Sequence, residues 1–207
     1  MLALTLFTHN AESGILIDNF SDSQIATNGG AGPLGIIGTD LINVQRILTA
    51  TASSTSSTAT TEVTVETGLL TIFNSIASNG TASIKYSFNT IDLTAFADDL
   101  LLTAVSIDSP GNEFKMIANG SSIFSLPNFG GNGQHSISFS QFSDASVFTH
   151  LSNLELIFQG PDSWNAQFSL LTTDSKTVPE PSVAVLLAIG LIAIGSVTRR
   201  KDALVKS

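Results

Sequence analysis

Carboxylates are the side chains here with the widest chemical reach. Glycoside hydrolysis needs two of them about 5–9 Å apart across one cleft. Asp98 and Asp99 are neighbours, so in a strand they point to opposite faces and cannot form that pair; they fit a turn ahead of Leu100-Leu101-Leu102. Asp18, on a first strand, and Asp162 or Asp174, near a last one, would meet if the terminal strands lie side by side. Oxygen ligands gathered in that way suit a structural calcium ion. The competing reading is solvated loop aspartates. His9, His135 and His150 are far apart and match no metal-ligand spacing such as H-E-x-x-H. His135 opens an alternating run and reads as an ordinary surface residue. There is no G-x-S-x-G elbow for a serine nucleophile. Cysteine is absent, which removes disulfides and thiol chemistry. Gly130-Gly131-Asn132-Gly133 has the composition of a phosphate cradle, but no helical pattern follows to supply a dipole, so it reads as a loop tip. Trp164 and Tyr86 are the aromatics with polar handles, usable as sugar-stacking platforms. Trp164 opens an apolar alternation after Gly160-Pro161-Asp162-Ser163, which favours a core or core-edge place. No catalytic residue and no resident cofactor is expected beyond that calcium ion.

The elements that would position these residues read as short strands. Ile15-Leu16-Ile17 precedes Asp18-Asn19-Phe20, then an Asn- and Gly-rich loop runs through Gly38. Leu41 to Thr51 alternates; Thr61 to Val65 and Leu69 to Phe73 flank Glu66-Thr67-Gly68, a compact hairpin connection. Asn79-Gly80 and Asn119-Gly120 each sit between alternating runs. Both residue types tolerate φ > 0, so each pair predicts a type I′ hairpin turn. His135, Ile137 and Phe139, then Leu154, Leu156 and Phe158, then Trp164, Ala166, Phe168 and Leu170 keep the two-residue period. No 3.6-residue apolar period stands out before residue 180. Thr49 to Thr61, almost all Ser, Thr and Ala, predicts a solvent-exposed stretch or an edge. About ten strands at this spacing predict an all-β fold, an antiparallel β-sandwich of jelly-roll type, with the phenylalanines filling its core.

Before Val178 there are four Lys or Arg (Arg46, Lys85, Lys115, Lys176) against fifteen Asp or Glu. So acidic a body is repelled by phosphate backbones, which excludes nucleic acid as a partner. Sparse charge with abundant Ser, Thr, Asn and Gly suits an exported β protein.

The carboxyl end differs in kind. Val178-Pro179-Glu180-Pro181-Ser182 is extended, because two prolines lack an N–H and fix φ. Val183 to Val197 carries no charge and no proline, and Arg199-Arg200-Lys201 follows. A span over 182–198 would be about 25 Å long against a hydrocarbon core of about 30 Å, and snorkelling basic side chains make up the difference. Positive residues stay cytoplasmic, so the acidic body lies across the membrane. A buried core helix is the bland alternative, though core helices are seldom apolar on every face.

The order Val-Pro-Glu-Pro, apolar helix, Arg-Arg-Lys resembles the PEP-CTERM sorting signal of Gram-negative bacteria. The resemblance implies a recognition motif at Pro179, Glu180 and Pro181, and a membrane stop at Arg199, Arg200 and Lys201. It also implies an exosortase-type processing protease as partner, and a destination at the cell surface or in an exopolysaccharide or biofilm matrix. Ile17-Asp18-Asn19-Phe20 and the closing Trp-containing strand resemble carbohydrate-binding-module-like jelly rolls, which implies extracellular polysaccharide as a ligand.

The expected layout is a residual or truncated signal region at 1–14, a β-sandwich ectodomain at 15–174 and a linker at 175–181. A single transmembrane helix at 182–198 and a basic cytoplasmic tail at 199–207 complete it. Leu2 to Phe7 is apolar but short and lacks a basic leader, so a longer signal peptide is expected upstream. The function so implied is an exported surface or matrix protein held transiently at the inner membrane. The alternative is a carbohydrate-binding module anchored permanently by one span.

Overall fold

The computed structural model describes residues 14–54, 56–108 and 111–176. Thirteen strands run through them: β1 (Leu16–Asp18), β2 (Gln24–Thr27), β3 (Gly30–Gly35), β4 (Gln45–Ser53), β5 (Thr61–Glu66), β6 (Leu69–Asn74), β7 (Asn79–Ile91), β8 (Asp99–Ile107), β9 (Glu113–Ala118), β10 (Ser122–Pro127), β11 (Gly133–Ser138), β12 (Leu151–Gly160) and β13 (Asn165–Thr173). All pairings are antiparallel. One sheet has the order β11-β8-β13-β6-β5-β2, with β1 also on β13; the other has the order β10-β9-β12-β7-β4-β3. The chain crosses between the sheets repeatedly, as in a jelly roll, and the β-sandwich expected from the strand periods is what forms.

Inward positions alternate with outward ones along each long strand. In β4, Arg46, Leu48 and Ala50 face in; in β12, Leu154, Leu156 and Phe158 do. The sheets are joined by stacked rings. Phe114 and Phe158 of one sheet lie 4.8 Å apart, Phe158 and Phe168 of the other sheet 4.8 Å, and Phe129 from a loop sits 4.7 Å from Phe114. Truncating so enclosed a ring to alanine costs about 3–5 kcal/mol.

Three 3₁₀ helices punctuate the connections, at Leu93–Ala95, Phe139–Gln141 and Ala145–His150. Asp92, Ser138 and Asp144 cap them by accepting from the Thr94, Ser140 and Ser146 N–H groups. Among the described residues no helix is long and apolar enough to cross a membrane. The span expected at 182–198 lies outside the described residues.

Three local expectations need correction. Asn119-Gly120 forms its turn, with φ of 49° and 69° and a Ser121 N to Ala118 O bond of 3.2 Å. Asn79-Gly80 does not: both residues lie within β7, and β6 and β7 belong to different sheets. Gly80 is there for closeness. It pairs with Gly160 across β7 and β12, and a Cβ on it would overlap Thr61 Oγ1 and Asn74 Oδ1. The Ser/Thr run from Thr49 is exposed over most of its described residues, as expected, but it begins inside β4, which lies between β3 and β7 and buries Ala50. The loop expected through Gly38 contains β2 and β3. Pro33 and the register shift between Ala31 and Leu34 disguise β3, an edge strand where a missing N–H is tolerated.

Candidate functional site

Most aspartates serve the backbone. Asp22 accepts from Ile37 N at 2.9 Å, Asp40 from Leu16 N at 2.8 Å, and Asp108 from Asn165 N at 3.1 Å. Asp174 accepts from both Asp98 N and Asp99 N at 2.9 Å. Each satisfies donors that a loop would otherwise leave unpaired. The terminal strands do neighbour, with Leu16 opposite Thr172. Asp18, however, turns inward while Asp174 pins the start of β8. Asp162 precedes β13, at the far end of that strand from Asp18. The three carboxylates considered for calcium are therefore not gathered, and among the described residues no three His, Asp or Glu are grouped for a metal.

Asp18 is fully buried beside Arg46 and Tyr86, each 0% exposed. Arg46 Nη1 donates to Asp18 Oδ2 at 2.6 Å, Arg46 Nε to Gln24 Oε1 at 2.9 Å, and Nη2 to the Asp22 carbonyl. The Tyr86 hydroxyl donates to Asp18 Oδ2 at 3.0 Å, and Phe20 N to Oδ1 at 2.7 Å. Burial, then the Asp18 charge, pushes the Tyr86 phenol well above its ordinary value. This network ties β1, β4 and β7 together from inside.

Trp164 is also inside, at 3% exposure, and its Nε1 donates to Asp108 O at 2.5 Å. Neither aromatic with a polar handle is a stacking platform. His135 is half-buried against Phe129, with Nε2 bonded to Gly131 O at 2.8 Å, and His150 meets Thr149 Oγ1 at 2.7 Å. The Gly130 to Gly133 loop leads into β11, a strand. His9, the Pro179-Glu180-Pro181 motif and the Arg199-Arg200-Lys201 stop lie outside the described residues.

The grooves of the surface were not evident from residue types. Two grooves flank the end of β4. One, of about 450 Å³, is lined by Asn28, Gly29, Thr51, Ser54, Ser57 and their neighbours. The other, of about 420 Å³, is lined by Ser53, Asn79, Asn112, Glu113, Gln159 and Pro161, with Gly111 and Gly160. The pairing of strands builds this second groove. Ser53 is opposite Asn79, and Gln159 is opposite Glu113. Beneath it the floor is pinned from the other sheet. Asn74 Nδ2 donates to Gly160 O at 3.0 Å, and Asn74 Oδ1 accepts from Thr61 Oγ1 at 3.0 Å. Trp164 packs so tightly on Gly160 that a Cβ there would overlap the indole.

Glu113 is the one carboxylate among the lining residues. Lys115 Nζ, 3.1 Å away, and the Ser125 hydroxyl at 3.0 Å hold it below the usual carboxylate range. It stays ionised and accepts hydrogen bonds. The groove thus presents amides, hydroxyls and one ion-paired carboxylate, all able to hydrogen-bond. These are not a proton-transfer pair.

Neither a protein-family model nor a curated protein matches the sequence. Among solved structures the chain is similar to a family 11 carbohydrate-binding module from Clostridium thermocellum in complex with a β-1,3-1,4-mixed-linked tetrasaccharide. That match has 10% identity and a TM-score of 0.41, and covers 78% of this chain and 95% of the other. The family 11 module of the cellulosomal cellulase Lic26A-Cel5E of Clostridium thermocellum gives 11% identity and a TM-score of 0.42, over 84% of this chain and 99% of that one. The module CtCBM11, solved in solution, gives 14% and 0.45 over 80% and 95%. At these scores the sandwich rests on the strand pairings themselves.

Proposed function

We propose that this chain is a non-catalytic surface or extracellular-matrix protein whose acidic β-sandwich contacts extracellular polysaccharide. In this reading the segment from Val178 to Lys201 is a PEP-CTERM-type signal that delivers the body across the inner membrane and is recognised by an exosortase-type protease. The observation that carries the binding part is the groove between Ser53, Asn79, Gln159 and Glu113, rich in neutral hydrogen-bonding groups and set on a rigid floor. Vicinal sugar hydroxyls need closely spaced donors and acceptors, and side-chain amides supply both. The sorting part rests on the order of residues at 178–201.

Affinity electrophoresis tests the binding part. The full-length chain, purified in a detergent without a sugar headgroup, is run through gels containing neutral polysaccharides. Retardation relative to a blank gel is expected; equal mobility in every gel contradicts the reading.

A further inference from the structure

We infer that the groove at the end of β4, β7, β9 and β12 is the polysaccharide site, that it takes an uncharged sugar chain, and that Asn112 is its specificity-determining residue. The inference rests on the binding function proposed above and narrows it to one groove, one atom and one charge class.

Asn112 lines the groove and is only 4% exposed. Its Nδ2 donates to the Phe129 carbonyl at 2.6 Å. That bond fixes the amide, because the flipped amide would set oxygen against oxygen. Oδ1 is therefore an acceptor, and among the described residues it is the one buried side-chain polar atom without a partner. A buried acceptor left open where the other described buried side-chain atoms are satisfied is a place where a donor from outside is wanted. The main chain holds it there, with Asn128 N donating to Asn112 O at 2.8 Å. Solvent does not reach Oδ1 in the unbound chain, so a sugar hydroxyl meets the need by pressing in at the Gly111–Asn112 segment of the groove wall.

The other groove beside β4, lined by Asn28, offers no such buried atom. Asn28, its amide, is spent at both ends: Nδ2 on Ala59 O at 2.8 Å and Oδ1 on Thr61 N at 2.8 Å. Both grooves are polar, but among the described residues only the Asn112 groove has a buried acceptor without a partner.

The charge class follows from the acidity of the body. Glu113 is paired with Lys115, but fifteen Asp or Glu against four Lys or Arg before Val178 leave a net negative field that repels uronate and sulfate groups. A bare metal ion is also a poor occupant, since this single carboxylate already holds the Lys115 ammonium. Gln159 opposite Glu113, with Asn79 and Ser53 one strand further, leaves mixed donors and acceptors for a neutral polyol.

The test is calorimetric titration of the full-length chain, in the same detergent, with neutral gluco-, manno-, galacto- and chito-oligosaccharides and with oligogalacturonate. At least one neutral series binds and oligogalacturonate binds more weakly. Asn112→Ala weakens neutral binding by about tenfold or more, the loss expected of one buried hydrogen bond. Because that variant also gives up the Phe129 contact, Gln159→Ala at the exposed rim is measured beside it and loses about threefold or more. Ser57→Ala, in the other groove, changes nothing. Neutral binding that survives Asn112→Ala and Gln159→Ala, or that falls with Ser57→Ala, overturns the site while leaving a polysaccharide-binding protein. Tighter binding of oligogalacturonate overturns the charge class. A folded chain that binds none of these sugars and is retarded in no polysaccharide gel removes both the site and the binding function beneath it.

Discussion

Arg46 is a guanidinium inside an apolar sandwich, and it is tolerable because all three of its nitrogens have acceptors in place. Taking one member away exposes the cost that the full set hides. Arg46→Met leaves the Asp18 carboxylate buried without its cation and should destabilise the domain by about 3–5 kcal/mol. Combining it with Asp18→Asn should recover part of that loss, as read by denaturant unfolding. Tyr86 reports the same network at high pH. Its folded pKa lies above the unfolded value of about 10, so the stability it contributes is present below that pH and lost as pH rises past it. Since this is the only tyrosine, tyrosinate absorbance should appear together with unfolding rather than ahead of it. At low pH the signs reverse. Asp92, through its bond from the Thr94 hydroxyl, and Asp144, through that from Ser146, are held below the ordinary range. Their contribution is whole above about pH 4 and fades as pH falls through their folded values, so the thermal midpoint should be flat near neutrality and drop in acid. Little of this was readable beforehand. Arg46 stands in a strand that alternates like its neighbours, and only the placement of β1 over β4 brings Asp18 to it.

Strands and turns separate into those whose cause is local and those whose cause is not. Asn119-Gly120 is local: the backbone needs φ > 0 there, and those residues supply it at little cost; at Thr67-Gly68 the glycine does so freely while the β-branched Thr67 is strained. The long alternating strands are local too, since burial on one face imposes the two-residue period. Asn79-Gly80 carries the same two letters as Asn119-Gly120 and is strand, because Thr61, Asn74 and Trp164 need the room that a Gly80–Gly160 pair leaves between the sheets. Gly80→Ala and Gly160→Ala should each cost about 1–3 kcal/mol through overpacking, well beyond the usual effect of a glycine in a strand, by thermal denaturation. Gly120→Ala should strain the turn instead, with no neighbour within 4 Å to clash. The groove shares the fate of Gly80. Glu113 and Gln159 are visibly outward residues of alternating strands, but that they face each other depends on β9 pairing with β12 across an intervening excursion into β10 and β11. Treating Asn79 as a turn hid a third lining residue, and nothing around Asn112 marks it out until its open acceptor is seen in the folded chain.

At the scale of the whole molecule, two kinds of sequence meet near residue 177. The described core residues all fall between Ile17 and Leu171. The body closes with Lys176, whose Nζ reaches Asp98 at 2.8 Å and whose N–H bonds Phe96 O at 2.9 Å. Alternation and turn residues foretold the β-sandwich and composition its acidity; neither could foretell which outward face carries the groove, because that is a property of pairing rather than of periods. In the proposed account the remainder is an address, written in Pro179-Glu180-Pro181, an apolar stretch and Arg199-Arg200-Lys201. Replacing Pro179, Glu180 and Pro181 together by alanine should leave the fold and sugar binding unchanged while uncleaved chain accumulates in the membrane fraction, as seen by immunoblotting of fractionated cells. The measurement that bears most directly on the account is the mass of the mature carboxyl terminus, taken from cells with and without the exosortase-type protease. A terminus near Pro179 to Pro181 only where the protease is present is the predicted result. A polypeptide that keeps Ser207 in both, or that is found freely dissolved in the cytosol, would contradict it.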